Sequence, residues 1–460
     1  MDGKSLHIAM FPWFGFGHLI PFLHLANKLA ERGHKISFFV TPKTLHKLEH
    51  LNLHPHLITF IQIILPHVDG LPPGAETTAD VPFPLLSLLM TAMDLTRPAI
   101  ETCLQKLKPH FIFYDFTHWL PSVTRPLGIK AIYYSVISSV VRAYILRYGS
   151  SDLQRNQLTE ADFMKPPPDF PPHSSIKLRA NEARELVTFY TKEFGRNIWF
   201  ARRVFISTTE CDAICLKTCR EIEGPYCEYV EKHLNKPLLL AGPVVPEEPT
   251  DSALEERWTN WLDGFEPKTV IFCSYGSECV LQKDQFQQLV LGFELTGLPF
   301  LAALKPPIGA EESALPEGFE ERNEGRGIVY GGWIQQQLIL GHPSVGCFVS
   351  HCGSGSMSEG LVSECQLVLL PHAGDQVFNA RFMGGDLKVG VEIEKGEEDG
   401  LFTKEGVCKA IQSVMDFDSK VGKEVRENHA KFRQVLLNKG LENSYIDGLV
   451  EKLQDLLVAS

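Results

Sequence analysis

The chain has 460 residues, 44% of them hydrophobic and 22% charged, the balance of a soluble globular protein. At ~100–200 residues per domain that length holds two to four domains. Lys plus Arg number 44 against 56 Asp plus Glu, and the net charge of −12 argues against a general nucleic-acid binder, whose phosphate contacts need a basic surface. The 11 cysteines are an odd count in a long chain, no Asn-x-Ser/Thr sequon occurs, and the residues after Met1 form no signal-peptide core. The most apolar long stretch, 81–93, is broken by Pro82 and Pro84, so no membrane span is expected. A secreted disulfide scaffold and an integral membrane protein are thereby disfavoured, and a reducing, cytoplasmic home is expected.

The first elements read as a strand over 6–11, a turn at Gly15-Phe16-Gly17-His18 and a helix over 20–32 with apolar residues at Leu23, Ala26, Leu29 and Ala30. Gly33 closes that helix, and 35–40 is the next strand. This βαβ unit predicts a parallel sheet with strands buried on both faces. The alternation continues with strands at 111–115, ending in Asp115, and at 131–136. Prolines make 164–173 a loop. A further strand is read at 204–207, and Cys211, Cys215 and Cys219, spaced by four, would share one side of a helix. Small buried residues account for them better than a metal site.

Prolines and acids without periodicity mark 241–252 as a linker. A second alternating set follows: strands at 269–274, 300–304, 346–350 and 366–370, a turn at Tyr275-Gly276-Ser277 and a helix over 284–295. An amphipathic helix over 444–458 ends the chain. The expected domains are therefore 1–240, 253–443 and a terminal segment 444–460. In open parallel sheets, ligands bind beyond the carboxyl ends of the strands, so the chemistry is sought at those ends.

Three constellations lie there. The strand ending in Ser350-His351-Cys352-Gly353 runs through Ser354-Gly355-Ser356 into a helix bearing Glu359; such a junction points free amides at an anion, or is an ordinary tight turn. Upstream, Gly331-Gly332-Trp333-Ile334-Gln335-Gln336 offers a Trp that stacks on a planar ring at an edge or fills a core. Downstream, Asp375 and Gln376 end a buried strand, where they can bond a polyhydroxylated ligand or cap the next helix. In the first half, His18 and Asp115 both fall at strand ends. An imidazole there can take a proton from a hydroxyl, and a carboxylate on its other nitrogen would fix its tautomer; most of the 17 histidines must nonetheless be structural or exposed. The Gly15-Phe16-Gly17 turn hints at nicotinamide binding, but it lacks the third glycine and no acid ends the following strand.

The stretch 333–376 resembles the signature box of plant family 1 UDP-sugar glycosyltransferases, in Trp333, Gln336, His342-Pro343-Ser344, Gly346, His351-Cys352-Gly353, Ser356, Glu359 and Asp375-Gln376. The resemblance extends to the segment 11–18, Asp115, Glu221-Ile222-Glu223-Gly224 and Gly242-Pro243. It implies a GT-B architecture, two Rossmann-like α/β domains facing across a cleft, the first binding acceptor and the second UDP-sugar, with the terminal helix packing back on the first.

The resemblance also implies roles. Trp333 and Ile334 would hold uracil, Gln336 and Glu359 the ribose, and His351, Ser354, Gly355, Ser356 and Ser277 the diphosphate. Asp375 and Gln376 would bind the donor sugar, His18 would be the general base and Asp115 its orienting partner. Candidate acceptor walls in the first half are Phe14, Phe16, Trp119, Phe189, Trp199 and Phe200, for any single one of which a core position is the better reading.

Two departures from the common pattern are Gln335, where Pro is usual, and Ser354-Gly355, where Trp-Asn is usual. Trp333-Ile334-Gln335-Gln336 and His351-Cys352-Gly353-x-Gly355-Ser356-Met357 are similar to the branch that adds a sugar to an existing glycoside, such as a flavonoid glycoside, although an aromatic is usual there at 354. The implied reaction is inverting transfer from a UDP-sugar, UDP-glucose first with UDP-xylose or UDP-rhamnose as alternatives. No cofactor or metal is expected, and the partners are the donor and a small-molecule glycoside acceptor, bound by a monomer. Activity on aglycones and a non-catalytic glycoside-binding relative are the competing readings.

Overall fold

The structure, a computed structural model, describes residues 5–146, 148, 157–245, 253–276, 279–307 and 314–458. The chain divides into two compact units, one made of Met1–Thr159, Val187–Val244 and Lys439–Ser460, the other of Glu160–Leu186 and Val245–Asn438.

The first unit is built on seven parallel strands: β1 His7–Phe11, β2 Lys35–Val40, β3 Ile58–Gln62, β4 Phe111–Tyr114, β5 Lys130–Ser135, β6 Ala213–Leu216 and β7 Leu238–Leu240, ordered β3-β2-β1-β4-β5-β6-β7. Runs such as Phe111-Ile-Phe-Tyr114 carry no polar alternation because helices cover both faces, and all four residues are buried. The order reverses between β1 and β4, which pair directly with Phe11 opposite Tyr114. Such a reversal leaves a crevice beyond the strand ends, because the two flanking crossovers leave on opposite faces of the sheet.

Helix Phe16–Ala30 begins four residues earlier than the apolar spacing suggests, so His18 lies in its first turn. The last helix, Lys439–Val458, puts Ile446, Leu449 and Leu453 into the same core as Phe22, Leu25 and Leu29. His24 Nε2 and Glu442 Oε1 meet at 2.6 Å along its edge.

The second unit has six parallel strands: β8 Val270–Ser274, β9 Phe300–Ala303, β10 Gly327–Tyr330, β11 Val345–Ser350, β12 Gln366–Leu369 and β13 Gly390–Glu392, ordered β10-β9-β8-β11-β12-β13. Its reversal falls between β8 and β11, with Ser274 opposite Ser350. Both units thus share the doubly wound plan expected of Rossmann-like domains.

Three readings need correction. Residues 204–207 are not a strand but part of helix Phe200–Glu210; a short apolar run does not distinguish the two, and Thr208 and Thr209 bond back to the carbonyls of Val204 and Phe205 at 3.0 and 2.8 Å inside the helix. The cysteines spaced by four share no helix: Cys215 lies in β6, Cys211 precedes it, and Cys219 caps helix Arg220–His233. The segment Glu160–Leu186, inside the expected 1–240 domain, belongs to the second unit. It is tied there by Ser175 to Asp386 at 2.5 Å, Arg179 to Glu392 at 3.1 Å and Glu182 to Arg381 at 2.8 Å.

Candidate active site and nucleotide half-site

At the reversal of the first sheet, His18 Nδ1 lies 2.7 Å from Asp115 Oδ2. β1 and β4 are neighbours, so the turn after one and the end of the other meet despite the long separation in sequence. Asp115 is 2% exposed and takes further hydrogen bonds from the Trp13 amide, 2.9 and 3.1 Å to its two oxygens, and from the Phe116 amide at 2.6 Å. A carboxylate only accepts, so His18 Nδ1 carries a proton in this contact, and the tautomer it selects for the neutral ring has its lone pair on Nε2. The His18 side chain is 21% exposed, which leaves its far edge reachable.

The aromatic neighbour of His18 is Phe116, with ring centroids 5.4 Å apart. Phe116 packs in turn on Trp13, Phe194 and Phe200. It was not among the acceptor-wall candidates, although its place directly after Asp115 was the signal that could have found it. Phe14 and Trp119 are corrected to core positions, at 1% and 6% exposure. Phe14 packs on Phe11 and Trp13, and Trp119 donates its Nε1–H to Asp94 at 2.9 Å. Phe16 is half-buried on the first helix with Lys47 over its ring. Phe189 stacks among Phe83, Tyr190 and Phe200. Trp199 is half-buried at the N-cap of helix Phe200–Glu210.

In the second unit the box residues gather at the carboxyl ends of β8, β11 and β12. Helix Ser354–Val362 starts at Gly353, which has no side chain to cap it, and the positive end of the helix dipole there favours an anion. Cys352 sits at φ +66 between His351 and that helix, and Asn379 holds its carbonyl at 3.0 Å. A non-glycine residue in that region is strained, and such strain concentrates at binding sites.

The His351 ring fits between Gly276 and Gly353: a Cβ would lie 2.8 Å from Nε2 at the first and 2.5 Å at the second. Gly276 also requires its φ of +71. Gln336 Nε2 donates to Ser356 Oγ at 3.0 Å and to Glu359 Oε2, joining three of the predicted residues in one network. Burial raises the Glu359 carboxyl above its ordinary range, and the Gln336 bond offsets this only in part. Trp333 is 76% exposed, whereas Ile334 is buried directly behind it.

Gln335, in place of the usual proline, accepts the Glu255 amide at 2.8 Å and donates to the Ala253 carbonyl at 3.1 Å. Gln376 uses its Oε1 on the His372 and Ala373 amides, at 2.9 and 3.2 Å, and so fixes the turn that carries Asp375. Ser277 lies outside the described residues, as does most of the 241–252 linker.

Among the described residues no three His, Cys, Asp or Glu side chains are grouped to hold a metal ion. The one Asp-x-Asp spacing in the sequence, Asp416-Phe417-Asp418, lies elsewhere. Asp416 Oδ1 accepts the Asp418 amide at 2.8 Å, and Phe417 lines a cavity with Lys268 and Gly346 at the amino end of the sheet.

Burial pushes His351 down to about 4, so the ring is neutral at physiological pH. A base with a folded value below its unfolded one near 6.5 contributes stability above pH 6.5 that is lost as pH falls toward 4, because the unfolded chain binds the proton first. The full span is on the order of 3 kcal/mol. Thermal unfolding is expected to show Tm falling from pH 6.5 to 4, with a shallower slope in His351→Gln; an unchanged slope would rule His351 out as the source.

The chain matches known proteins. Residues 316–428 match the family model for UDP-glucuronosyl and UDP-glucosyl transferases. A cyanidin 3-O-galactoside 2''-O-xylosyltransferase of Actinidia chinensis var. chinensis is 59% identical over 459 residues, 99% of this chain and 100% of its own. An anthocyanidin 3-O-glucoside 2''-O-glucosyltransferase of Ipomoea nil is 56% identical over 458 residues, 99% of each chain. The crystal structure of a UDP-glucose:anthocyanidin 3-O-glucosyltransferase with UDP superposes with a TM-score of 0.78 at 26% identity, covering 100% of both chains. The chain belongs to the UDP-sugar-dependent glycosyltransferase family, and its two α/β domains are those of the GT-B class.

Proposed function

We propose that this glycosyltransferase moves a sugar from a UDP-sugar onto a sugar hydroxyl of a flavonoid glycoside, with inversion at the anomeric carbon. The observation that carries the chemistry is the 2.7 Å contact between His18 Nδ1 and the buried Asp115. The acceptor hydroxyl gives its proton to His18 Nε2 as its oxygen bonds to the anomeric carbon, and the bond from that carbon to the UDP oxygen breaks. Asp115 then faces the positive imidazolium and stabilises it. An α-linked donor yields a β-linked product.

The donor is assigned to the second unit. Exposed Trp333 stacks on uracil, beside the Ile334 backbone. Gln336 and Glu359 take the ribose hydroxyls, and His351, Ser354, Gly355 and Ser356 take the diphosphate, with Ser277 in the same role. Asp375 and Gln376 bind the donor sugar. The amides at the start of helix Ser354–Val362 are aimed before the reaction at the charge that grows on the leaving UDP, which is where preorganised dipoles lower a barrier most.

The acceptor class rests on the relatives, two of which are named for adding a sugar to the sugar of an anthocyanidin or cyanidin glycoside. Their names include xylosyl and glucosyl transfer, which keeps both UDP-xylose and UDP-glucose as donors to test. Eleven free thiols support a reducing, cytoplasmic setting. We take the active form to be the 51.6 kDa monomer, which sedimentation tests.

The test is a donor-by-acceptor matrix read by mass spectrometry, with EDTA present and His18→Ala as control. UDP-glucose, UDP-xylose and UDP-rhamnose each meet a flavonoid aglycone and its 3- and 7-glucosides. A mass gain on glycosides alone is expected. Gain on aglycones alone would overturn the glycoside assignment, and UDP binding without turnover on any pair would overturn the catalytic one.

A further inference from the structure

Arg203 is the largest fully buried side chain among the described residues, with no exposed surface. Nη1 and Nη2 grip both oxygens of Asp94, itself 1% exposed, at 3.0 and 2.7 Å. Nε donates to the Phe194 carbonyl at 2.8 Å, Nη2 to the Gly195 carbonyl at 2.9 Å and Nη1 to the Phe116 carbonyl at 3.2 Å. Nη1 also lies 2.8 Å from His118 Nδ1. Burial and the adjacent guanidinium hold His118 at about 4, so the ring accepts this bond as a neutral group.

A buried ion pair is poor evidence for stability, since well-packed apolar residues often do as well. What an apolar pair cannot do is hold three backbone carbonyls from two separate loops. One reaches His18 directly through Phe116, and the other packs on Phe116 and Trp13. Phe116 is anchored twice: its amide donates to Asp115 at 2.6 Å and its carbonyl is held by Arg203. Its ring packs on the His18 ring.

The other loop carries Gly195, Arg196 and Asn197 in succession at φ +88, +53 and +61. Backbone of that kind persists only where its surroundings over-determine it, and Arg203 supplies two of the bonds that do so. Phe194, at the start of this loop, packs on both Phe116 and Trp13, the residue whose amide binds Asp115. The space around the guanidinium is closed: a Cβ on Gly195 would lie 2.9 Å from Nη2.

We propose that Arg203 is a positioning residue for sugar transfer, fixing the Phe116 turn and the Phe194–Gly195 loop so that Asp115 and Phe116 hold the His18 ring in its reactive orientation. The proposal rests on the reading of His18 and Asp115 as the proton-accepting pair. Lysine at 203 keeps the charge opposite Asp94 but has a single nitrogen, which cannot reach three carbonyls in the fork geometry of arginine.

The experiment is steady-state kinetics of Arg203→Lys with Tm recorded, in the wild-type and Asp115→Asn backgrounds. Expected are a donor KM within twofold of wild type, kcat lower by ~10–100-fold in the wild-type background, and less than a threefold effect when Asp115 is already gone, because groups acting as one unit are non-additive. A lowered Tm with kcat within twofold, or equal losses in both backgrounds, would overturn the proposal. If Arg203→Lys does not fold, the double variant Arg203→Gln with Asp94→Asn, which removes the two buried charges together, must give the same kcat loss and the same non-additivity; unchanged kcat overturns the proposal. His18→Ala separates the two levels. Full activity in His18→Ala overturns the pair itself and the positioning with it, whereas an inactive His18→Ala beside a fully active Arg203→Lys overturns the positioning alone.

Discussion

His18→Ala is expected to lower kcat by ~10²–10⁴-fold, the contribution of a well-placed general base, while UDP affinity stays within about twofold. The proposed base and the proposed nucleotide residues belong to different units of the chain, so the two effects can be read separately. Asp115→Asn is expected to approach the same loss by another route. Among the described residues Asp115 accepts hydrogen bonds from the Trp13 and Phe116 amides and His18 Nδ1. An amide NH2 turned toward His18 would demand an accepting Nδ1, which moves the proton to Nε2, where the base is needed unprotonated. Initial rates by mass spectrometry and UDP titration calorimetry measure both effects. A His18→Ala rate within fivefold of wild type would sink the base assignment.

Trp333→Ala should raise the KM for UDP-sugar by roughly 5–150-fold, because stacking a base on an aromatic ring contributes ~1–3 kcal/mol. The ring is 76% exposed, so little packing is lost and Tm should hardly move. Trp333→Phe should recover part of the affinity, since a smaller ring still offers a face. A KM change below twofold in Trp333→Ala, with Tm preserved, would remove the residue from the nucleotide site. The Gln335 bonds to 253 and 255 add a structural reason for the loop to hold its place when the ring is truncated.

Much of this was legible because strands buried on both faces announce themselves as uninterrupted apolar runs, and ligands of such sheets collect at the strand ends. His18 and Asp115 could be paired on that ground, and the strand order supplies the missing step by making β1 and β4 neighbours. Local periodicity failed where a contact partner decided the outcome. Val204-Phe-Ile-Ser207 is apolar enough for a strand, yet its helix buries Arg203 and Ser207 on the inner face. Arg203 reads as a surface charge until Asp94, more than a hundred positions away, is seen beside it.

The membership of 160–186 was hidden for the same reason. Its ties run from Ser175, Arg179 and Glu182 to residues some two hundred positions later, and nothing local signals them. Trp119 looked like a pocket wall because a tryptophan near a strand end often is one; its Nε1–H is instead spent on Asp94.

The helix Lys439–Val458 supplies Ile446, Leu449 and Leu453 to the core that Phe22, Leu25 and Leu29 begin to build. It lies C-terminal to every residue of the second unit. On the ribosome, domains ordinarily fold in the order they emerge. Here the unit that emerges first must wait with part of its core exposed until the whole of the other has been synthesised. The second unit is therefore free to mature first, and the first is completed only by a helix made after it.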